Sequence, residues 1–174
     1  ARCQMLVVCS PGKPTGAVLN IEDWHTIFAL ADRHDLVVVS DECYSELYPD
    51  EAAPPVGVLE ACRHHGREGF ERCIAFHSLS KRSSLPGMRS GFVAGDAALI
   101  RAFLLYRTYH GSAMPPPHQA ASTLAWRDEA HVRENRALYR AKFAAVLAEL
   151  DGCLEVNAPA GGFYLWPRTP CDER

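Results

Sequence analysis

The sequence predicts an α/β fold in which a mostly parallel sheet carries helices on both faces. Two short apolar and β-branched runs, Met5 to Cys9 and Leu36 to Val39, are separated by a stretch with helical periodicity. Strand, helix and strand in this order form a βαβ unit, whose strands are parallel and whose helix covers the sheet. A length of 174 residues and a hydrophobic share of 48% are sufficient for one packed core.

The first elements follow in order from local signals. The run from Met5 to Cys9 is fully apolar, which predicts a strand covered on both faces. Two prolines and two glycines predict a turn from Ser10 to Gly16. Asn20, with Asp23 three residues later, predicts the start of a helix. The second strand, Leu36 to Val39, is again apolar and typical of a parallel sheet.

Two more strands and four more helices are predicted after the second strand. The strands run from Cys73 to Phe76 and from Ser90 to Ala94, where short apolar runs are bounded by polar residues or glycine. The last helix carries its apolar positions on one stripe at helical spacing, and Gly152 follows as a stop. The four helices run from Gly57 to His65, Ala97 to Tyr106, Pro117 to Trp126 and His131 to Leu150.

Composition argues against several classes of partner. A net charge of −3 without a basic run is unsuited to nucleic acid or to an anionic membrane, so we expect neither. The seven cysteines are odd in number and lack metal-ligand spacing, which indicates buried thiols in a reducing compartment. Because they lack that spacing, we expect no bound metal. The sequence has no long apolar run and no signal-peptide pattern, so we expect a cytoplasmic protein.

Three polar segments follow three of the predicted strands: Ser10 to Gly16, Ser40 to Tyr44, and His77 to Arg82. Ligands of parallel sheets bind beyond the carboxyl ends of the strands, so these segments predict one shared site. Ser-Pro-x-x-Pro-Thr-Gly, Asp-Glu-x-Tyr, Ser-x-Ser-Lys and Gly-x-Arg-x-Gly occur in this order. The ordered set resembles the class I/II, fold-type I aminotransferases over nearly the whole chain. The resemblance implies pyridoxal 5'-phosphate as cofactor and transamination between small-molecule amino acids and 2-oxo acids.

The resemblance also implies roles for single residues. Lys81 is the implied catalytic residue, which forms the Schiff base with the cofactor and then moves a proton. Asp41 is implied to pair with the pyridine nitrogen, so that the ring acts as an electron sink. Tyr44 is implied to hydrogen-bond the 3′ oxygen of the cofactor. His77, which lies beside the phosphate-binding serines, is expected to be a structural hydrogen-bonding residue.

Ser78, Ser80 and Arg89 are implied to hold the cofactor phosphate, since two hydroxyls and a guanidinium suit a dianion. Arg82 is the competing cation, and we expect it to be solvent-facing or structural. Lys13 stands where the family places an asparagine whose amide reaches the 3′ oxygen. An ammonium there can still donate to that oxygen. It also adds a charge and a second amine that can compete for the aldehyde.

The flanking sequence narrows the resemblance. The segments 76–96, 105–111 and 131–139 are similar to the succinyldiaminopimelate aminotransferases of bacterial lysine synthesis. That similarity implies transfer of the amino group of glutamate to N-succinyl-2-amino-6-oxopimelate. The alternatives are another amino-acid aminotransferase or a carbon–sulfur lyase of the same fold, a non-catalytic sensor domain that binds the cofactor, and a degenerate aminotransferase.

The resemblance also implies a domain division. Residues 1–130 are assigned to the cofactor-binding large domain, and residues 131–174 to a linking helix and the beginning of a smaller α+β C-terminal domain. The first piece of that domain is Leu154 to Trp166, which includes a strand-like run from Gly162 to Trp166. Both ends of the chain look cut from a longer protein, so we expect an internal fragment. The family forms homodimers, which implies a homodimer for the full-length protein.

Overall fold

The computed structural model of the protein describes residues 3–169. Its sheet has four strands in the order β1 (Met5–Cys9), β2 (Val37–Asp41), β3 (Cys73–Ser78) and β4 (Gly91–Gly95). The first three strands are parallel to one another, and β4 is antiparallel to β3. The mostly parallel sheet that the sequence predicts is therefore confirmed.

The described helices alternate with these strands much as the sequence predicts. Two differences stand out: α4 extends four residues further than predicted, and the polar stretch after β3 contains a short helix, α3. Pro86–Met88 forms a 3-10 turn between that helix and β4. The helices are α1 (Ile21–His34), α2 (Val58–His64), α3 (Leu79–Arg82), α4 (Ala97–His110), α5 (Pro116–Arg127) and α6 (Ala130–Leu150).

The helix α1 begins with a capping box and provides much of the core on one face of the sheet. The Asn20 side chain accepts from the Asp23 N–H, and the Asp23 carboxylate accepts from the Asn20 N–H, both at 2.9 Å. These bonds satisfy amide groups that the first helical turn leaves unpaired. Trp24, Phe28 and Ala31 of this helix are buried against the sheet and α2.

The opposite face of the sheet carries α4. Side chains alternate along a strand, so Phe76 points away from the face that buries Cys73 and Ala75. Its ring meets Phe103 of α4 edge-on, with centroids 5.8 Å apart. Helices on both faces are therefore confirmed. The prediction that β1 is covered on both faces is wrong for the described chain, since this edge strand leaves Met5 exposed.

The predicted strand-like run from Gly162 to Trp166 is also wrong. In the described residues it is irregular, and the one pairing nearby is an isolated bridge between Glu155 and Arg168. The backbone of Gly162 has a φ of +83° and donates instead to the carbonyl of Leu47 at 2.7 Å. This bond ties the segment to the turn that follows β2 and not to a strand.

The helix α6 is anchored by buried side chains at its N-terminal half. Val132 is fully buried, and the Arg136 guanidinium donates to both carboxylate oxygens of Glu51. The predicted apolar stripe is only partly covered, because Val146 further along the helix is 45% exposed. Among residues 3–169, no helix is both long enough and apolar enough to cross a bilayer.

Candidate active site

The carboxyl ends of β1, β2 and β3 meet at one edge of the sheet because the three strands are parallel. Cys9 is in register with Asp41, and the end of β3 at Ser78 is in register with Gly91 at the start of β4. The antiparallel direction of β4 brings Arg89, two residues before Gly91, to this same edge. The structure therefore gathers the segments that the sequence assigns to one shared site.

Asp41 at the end of β2 lies between two thiols. Its Oδ1 accepts from the N–H of Cys43 at 3.1 Å, which ties the carboxylate to the following turn. Burial and a hydrogen bond with Asp41 raise the pKa of Cys43 to about 12, and burial with the charge of Asp41 raises the pKa of Cys9. Both thiols therefore stay protonated at neutral pH. No sequence pattern had predicted that these cysteines lie close to Asp41.

The two serines and Lys81 are positioned by the first turn of α3. Ser78 caps this helix: its Oγ accepts from the Ser80 N–H at 3.1 Å and donates to the Ser80 Oγ at 2.9 Å. The two hydroxyls are therefore adjacent, as a shared phosphate site requires. From α6, Asn135 donates to the carbonyls of Lys81 at 3.3 Å and Arg82 at 3.4 Å, which fixes the other end of the short helix.

The two arginines near the serines have different environments. Arg89 has left-handed backbone with a φ of +50°, is exposed, and donates to the Pro86 carbonyl at 2.8 Å. Arg82 is only 4% exposed; it ion-pairs with Glu129 and lies over the Trp126 ring at 5.1 Å. A structural role for Arg82 is thus confirmed, and its solvent-facing alternative is wrong. Arg89 remains the guanidinium available to a ligand at this edge.

An aromatic wall from the C-terminal part of the chain brings Tyr44 and both lysines together. The Phe163 and Tyr164 rings stack with centroids 4.4 Å apart, and the Tyr44 ring lies 5.6 Å from that of Phe163. The Lys81 Nζ lies 5.0 Å from the Phe163 centroid, and the Lys13 Nζ lies 5.2 Å from the Tyr164 centroid. Burial and the neighbouring Tyr164 raise the pKa of Tyr44 to about 12, so its hydroxyl is protonated at neutral pH.

This wall lies in a segment that the sequence assigns to a separate domain, and its place in the site was not predicted. A signal was present in the glycine pair before it, because glycine permits close approach of backbones. The Gly161 N–H donates to the Gly16 carbonyl at 3.0 Å. A Cβ at Gly161 would lie 2.5 Å from the Pro11 ring. The segment Gly161 to Tyr164 is thus fitted closely against the loop that carries Lys13.

His77 belongs to the support of the site. Its Nε2 lies 3.3 Å from a carboxylate oxygen of Glu42, and its ring stacks on Phe92 with centroids 4.7 Å apart. The other Glu42 oxygen accepts from the Val58 N–H at 2.7 Å, at the start of α2. The expected structural role of His77 is therefore confirmed. Within residues 3–169, no group of three His, Cys, Asp or Glu side chains is arranged to hold a metal ion.

Comparison with known proteins identifies the family. The model of aminotransferase class I and II matches residues 1–172. The 4-dedimethylamino-4-oxo-anhydrotetracycline transaminase OxyQ of Streptomyces rimosus is 39% identical over 158 residues, which cover 90% of this chain and 43% of that protein. A solved aminotransferase from Neisseria meningitidis superimposes with a TM-score of 0.91 at 49% identity, covering 96% of this chain and 42% of that one.

A third relative bears on the substrate. The solved N-succinyldiaminopimelate aminotransferase of Mycobacterium tuberculosis has a TM-score of 0.78 at 28% identity, covering 91% of this chain and 40% of that one. The chain thus spans between 40% and 43% of the length of these three relatives. The family match extends over nearly the whole sequence and includes every strand end of the site. The chain belongs to the class I and II aminotransferases.

Proposed function

We propose that the protein to which this chain belongs is a pyridoxal-phosphate-dependent transaminase, with Lys81 as its catalytic lysine. The observation that carries the proposal is the convergence of an amine, a carboxylate and a phenol at one sheet edge. Lys81 and Tyr44 both lie against the Phe163 ring. The charges of Lys81 and Asp41 both act on the pKa of the Cys43 thiol, so these two groups also lie near each other. Bound pyridoxal phosphate supplies an electron sink for bond cleavage at the Cα of an amino acid.

The residues present fit this cofactor. The Asp41 carboxylate is an acceptor for the protonated ring nitrogen, held in place by the Cys43 N–H. The protonated hydroxyl of Tyr44 is a donor for the ring oxygen. The adjacent hydroxyls of Ser78 and Ser80 lie 2.9 Å apart and suit a phosphate. Arg89, two residues before β4, supplies a positive charge for the phosphate at the same edge of the sheet.

Lys81 is the group we propose for proton transfer. Its backbone is fixed at both ends, by the Ser78 cap and by Asn135, whereas its amine lies against the face of Phe163 and has no ion-pair partner among residues 3–169. A fixed backbone and a side chain held only by an aromatic face allow the amine to leave and return along one path. That mobility is what a lysine needs to move a proton at a substrate carbon.

For the substrate, we propose glutamate as donor and N-succinyl-2-amino-6-oxopimelate as acceptor, within lysine and diaminopimelate synthesis. The segments 76–96, 105–111 and 131–139 support this choice, together with the likeness to the succinyldiaminopimelate enzyme of Mycobacterium tuberculosis. OxyQ is more similar in sequence and acts on a tetracycline intermediate. The acceptor must therefore be tested against other 2-oxo acids.

The same proposal includes the organisation of the full-length protein. We assign residues 1–130 to the cofactor-binding domain and residues 131–174 to the linking helix and the beginning of a smaller domain. We propose a homodimer in the cytoplasm, and the six free cysteines of the described chain are the pattern of a reducing compartment. The isolated 174 residues are expected to bind the cofactor weakly and to turn over poorly.

Reductive labelling tests the cofactor assignment directly. The full-length protein is incubated with pyridoxal phosphate, reduced with borohydride, digested, and the modified peptide is identified by mass. The lysines within this chain number three, Lys13, Lys81 and Lys142, so the assignment is unambiguous. We expect label on Lys81, and Lys142 of α6, whose Nζ lies over the Tyr139 ring at 5.1 Å, is the internal comparison. Label on Lys13 alone, or no label on folded protein, contradicts the proposal.

Activity then distinguishes the reaction types. Turnover that depends on 2-oxoglutarate supports transamination, whereas release of pyruvate from a sulfur-containing amino acid supports a lyase. Activity with N-succinyl-2-amino-6-oxopimelate well above that with other acceptors supports the proposed substrate. Cofactor binding without any turnover in the full-length dimer would favour the sensor alternative.

A further inference from the structure

The site contains two primary amines in an environment proposed for an aldehyde. Lys81 and Lys13 each place their Nζ over one ring of the stacked pair Phe163 and Tyr164, at 5.0 Å and 5.2 Å from the respective centroids. Each amine therefore has its own aromatic face. The family has an asparagine at the position of Lys13, and an asparagine cannot condense with an aldehyde. In this chain a second lysine stands there and can compete with Lys81 for the cofactor aldehyde.

The ring over which Lys13 lies is itself held firmly. The backbone just before it is hydrogen-bonded to two other segments of the chain. The Gly161 N–H donates to the Gly16 carbonyl at 3.0 Å, and the Gly162 N–H donates to the Leu47 carbonyl at 2.7 Å. Tyr164 also stacks on Phe163 and meets the Tyr44 ring edge-on, with centroids 6.4 Å apart. The Lys13 side chain, by contrast, is exposed and has no carboxylate partner among the ion pairs of residues 3–169. Among residues 3–169, the contact that its ammonium makes is with the Tyr164 face.

We propose that Tyr164 is a positioning residue that holds Lys13 away from the cofactor aldehyde, so that Lys81 condenses with it alone. This inference rests on the proposed function. Condensation requires that the lone pair of an amine attack the aldehyde carbon. The carbon–nitrogen double bond forms, the carbon–oxygen bond breaks, and the oxygen leaves as water with both protons of the amine. Lys13 must leave the ring face before it can follow this course.

The test compares labelling of Lys13 and Lys81 in variants at position 164 of the full-length protein. Each variant is loaded with pyridoxal phosphate, reduced with borohydride and mapped by mass. Tyr164→Phe keeps the ring, so we expect label on Lys81 with little on Lys13, as in the unaltered protein. Tyr164→Leu removes the ring, and the ratio of label on Lys13 to label on Lys81 should rise about two- to fivefold, the range that a cation–π contact at an exposed site supports.

A third variant isolates the electrostatics from the shape. Pentafluorophenylalanine at position 164 resembles phenylalanine in shape but has an electron-poor face, which repels a cation. Its labelling ratio should therefore rise like that of Tyr164→Leu, even if the leucine variant folds poorly. Label on Lys142 is measured throughout, since a parallel rise there would show general loosening and overturn the inference.

The outcomes separate this inference from the proposed function. If Lys81 is labelled in every protein and label on Lys13 does not rise in the Tyr164→Leu or pentafluorophenylalanine variant, the role of Tyr164 is refuted and the proposed function stands. Absence of label from Lys81 in the unaltered protein refutes the proposed function itself. A rise at Lys13 in both ring-altered variants, with none at Lys142 and none in Tyr164→Phe, supports the inference.

Discussion

Replacing Gly161 by alanine tests whether the C-terminal segment must fit closely against the loop that carries Lys13. A Cβ at this position would lie 2.5 Å and 2.7 Å from two carbons of the Pro11 ring, and 3.3 Å from a methyl group of Val18. Real Cβ atoms do not approach others so closely, and a proline ring cannot rotate away. The added methyl must therefore displace either the loop or the segment Gly161 to Tyr164.

The magnitude follows from the cost of inserting one methyl group into a packed contact. Such overpacking typically destabilises a protein by about 1–3 kcal/mol. Gly69→Ala is the matched control, because its Cβ would meet the Glu71 carboxylate at a similar 2.7 Å. That carboxylate is the far end of a flexible side chain and can move, so the control should change stability by less than about 0.5 kcal/mol.

The assay is urea denaturation of both variants, followed by cofactor titration of the folded proteins. We expect Gly161→Ala to lower the unfolding midpoint and to weaken cofactor binding, since displacement of the segment also displaces Tyr164 and Phe163. Gly69→Ala should bind the cofactor as the unaltered protein does. Equal stability and equal cofactor affinity of the two variants would show that the segment does not depend on this close fit.

Three other predictions concern ionisable groups. Arg136→Met removes a side chain that is 6% exposed and should lower the free energy of urea unfolding by about 2–3 kcal/mol. Arg140 pairs with the same Glu51 but is 36% exposed, so Arg140→Met should lower it by less than about 1 kcal/mol. The reverse order would contradict the buried pairing. The hydrogen bonds from Arg136 and Arg140 lower the pKa of Glu51 to about 2. The stability that Glu51 contributes at neutral pH is therefore lost as the pH falls from about 4.5 toward 2, and Glu51→Gln should reduce this loss in an acid-unfolding experiment. Burial and Asp41 raise the pKa of Cys43 to about 12, so iodoacetamide at about pH 8 should modify exposed Cys153 well before Cys43, as measured by peptide mass.

The parts of the fold that were predictable depend on residues close together in the chain. The capping box of Asn20 and Asp23 marks the start of α1 because both bonds lie within one helical turn. The run Met5–Cys9 forms β1 with the predicted bounds for the same reason, since its apolar pattern is local. The Ser-x-Ser-Lys motif placed Lys81 and the two serines just after a predicted strand, although the short helix α3 that begins there was not predicted.

The parts that were not predictable depend on partners far away in the sequence. Arg82 is buried because Trp126 and Glu129, on the last turn of α5 and just before α6, surround its guanidinium. No local pattern distinguishes that arginine from the exposed Arg89. Phe163, which faces Lys81 across the fold, was likewise hidden by an apparent strand pattern. Side-chain type favours exposure for an arginine and burial for a phenylalanine, and in neither case does it identify the partner.

The contact between the Lys13 loop and the segment Gly161 to Tyr164 couples the position of that segment to the geometry of the site. The bonds that hold the segment, from Gly161 to Gly16 and from Gly162 to Leu47, are the same bonds that place the two rings under the two lysines. A ligand that binds only when these rings are in place stabilises the segment in proportion to the logarithm of its concentration above Kd. The C-terminal segment should therefore be ordered most strongly when cofactor is bound, and selection between Lys13 and Lys81 should be sharpest in that state.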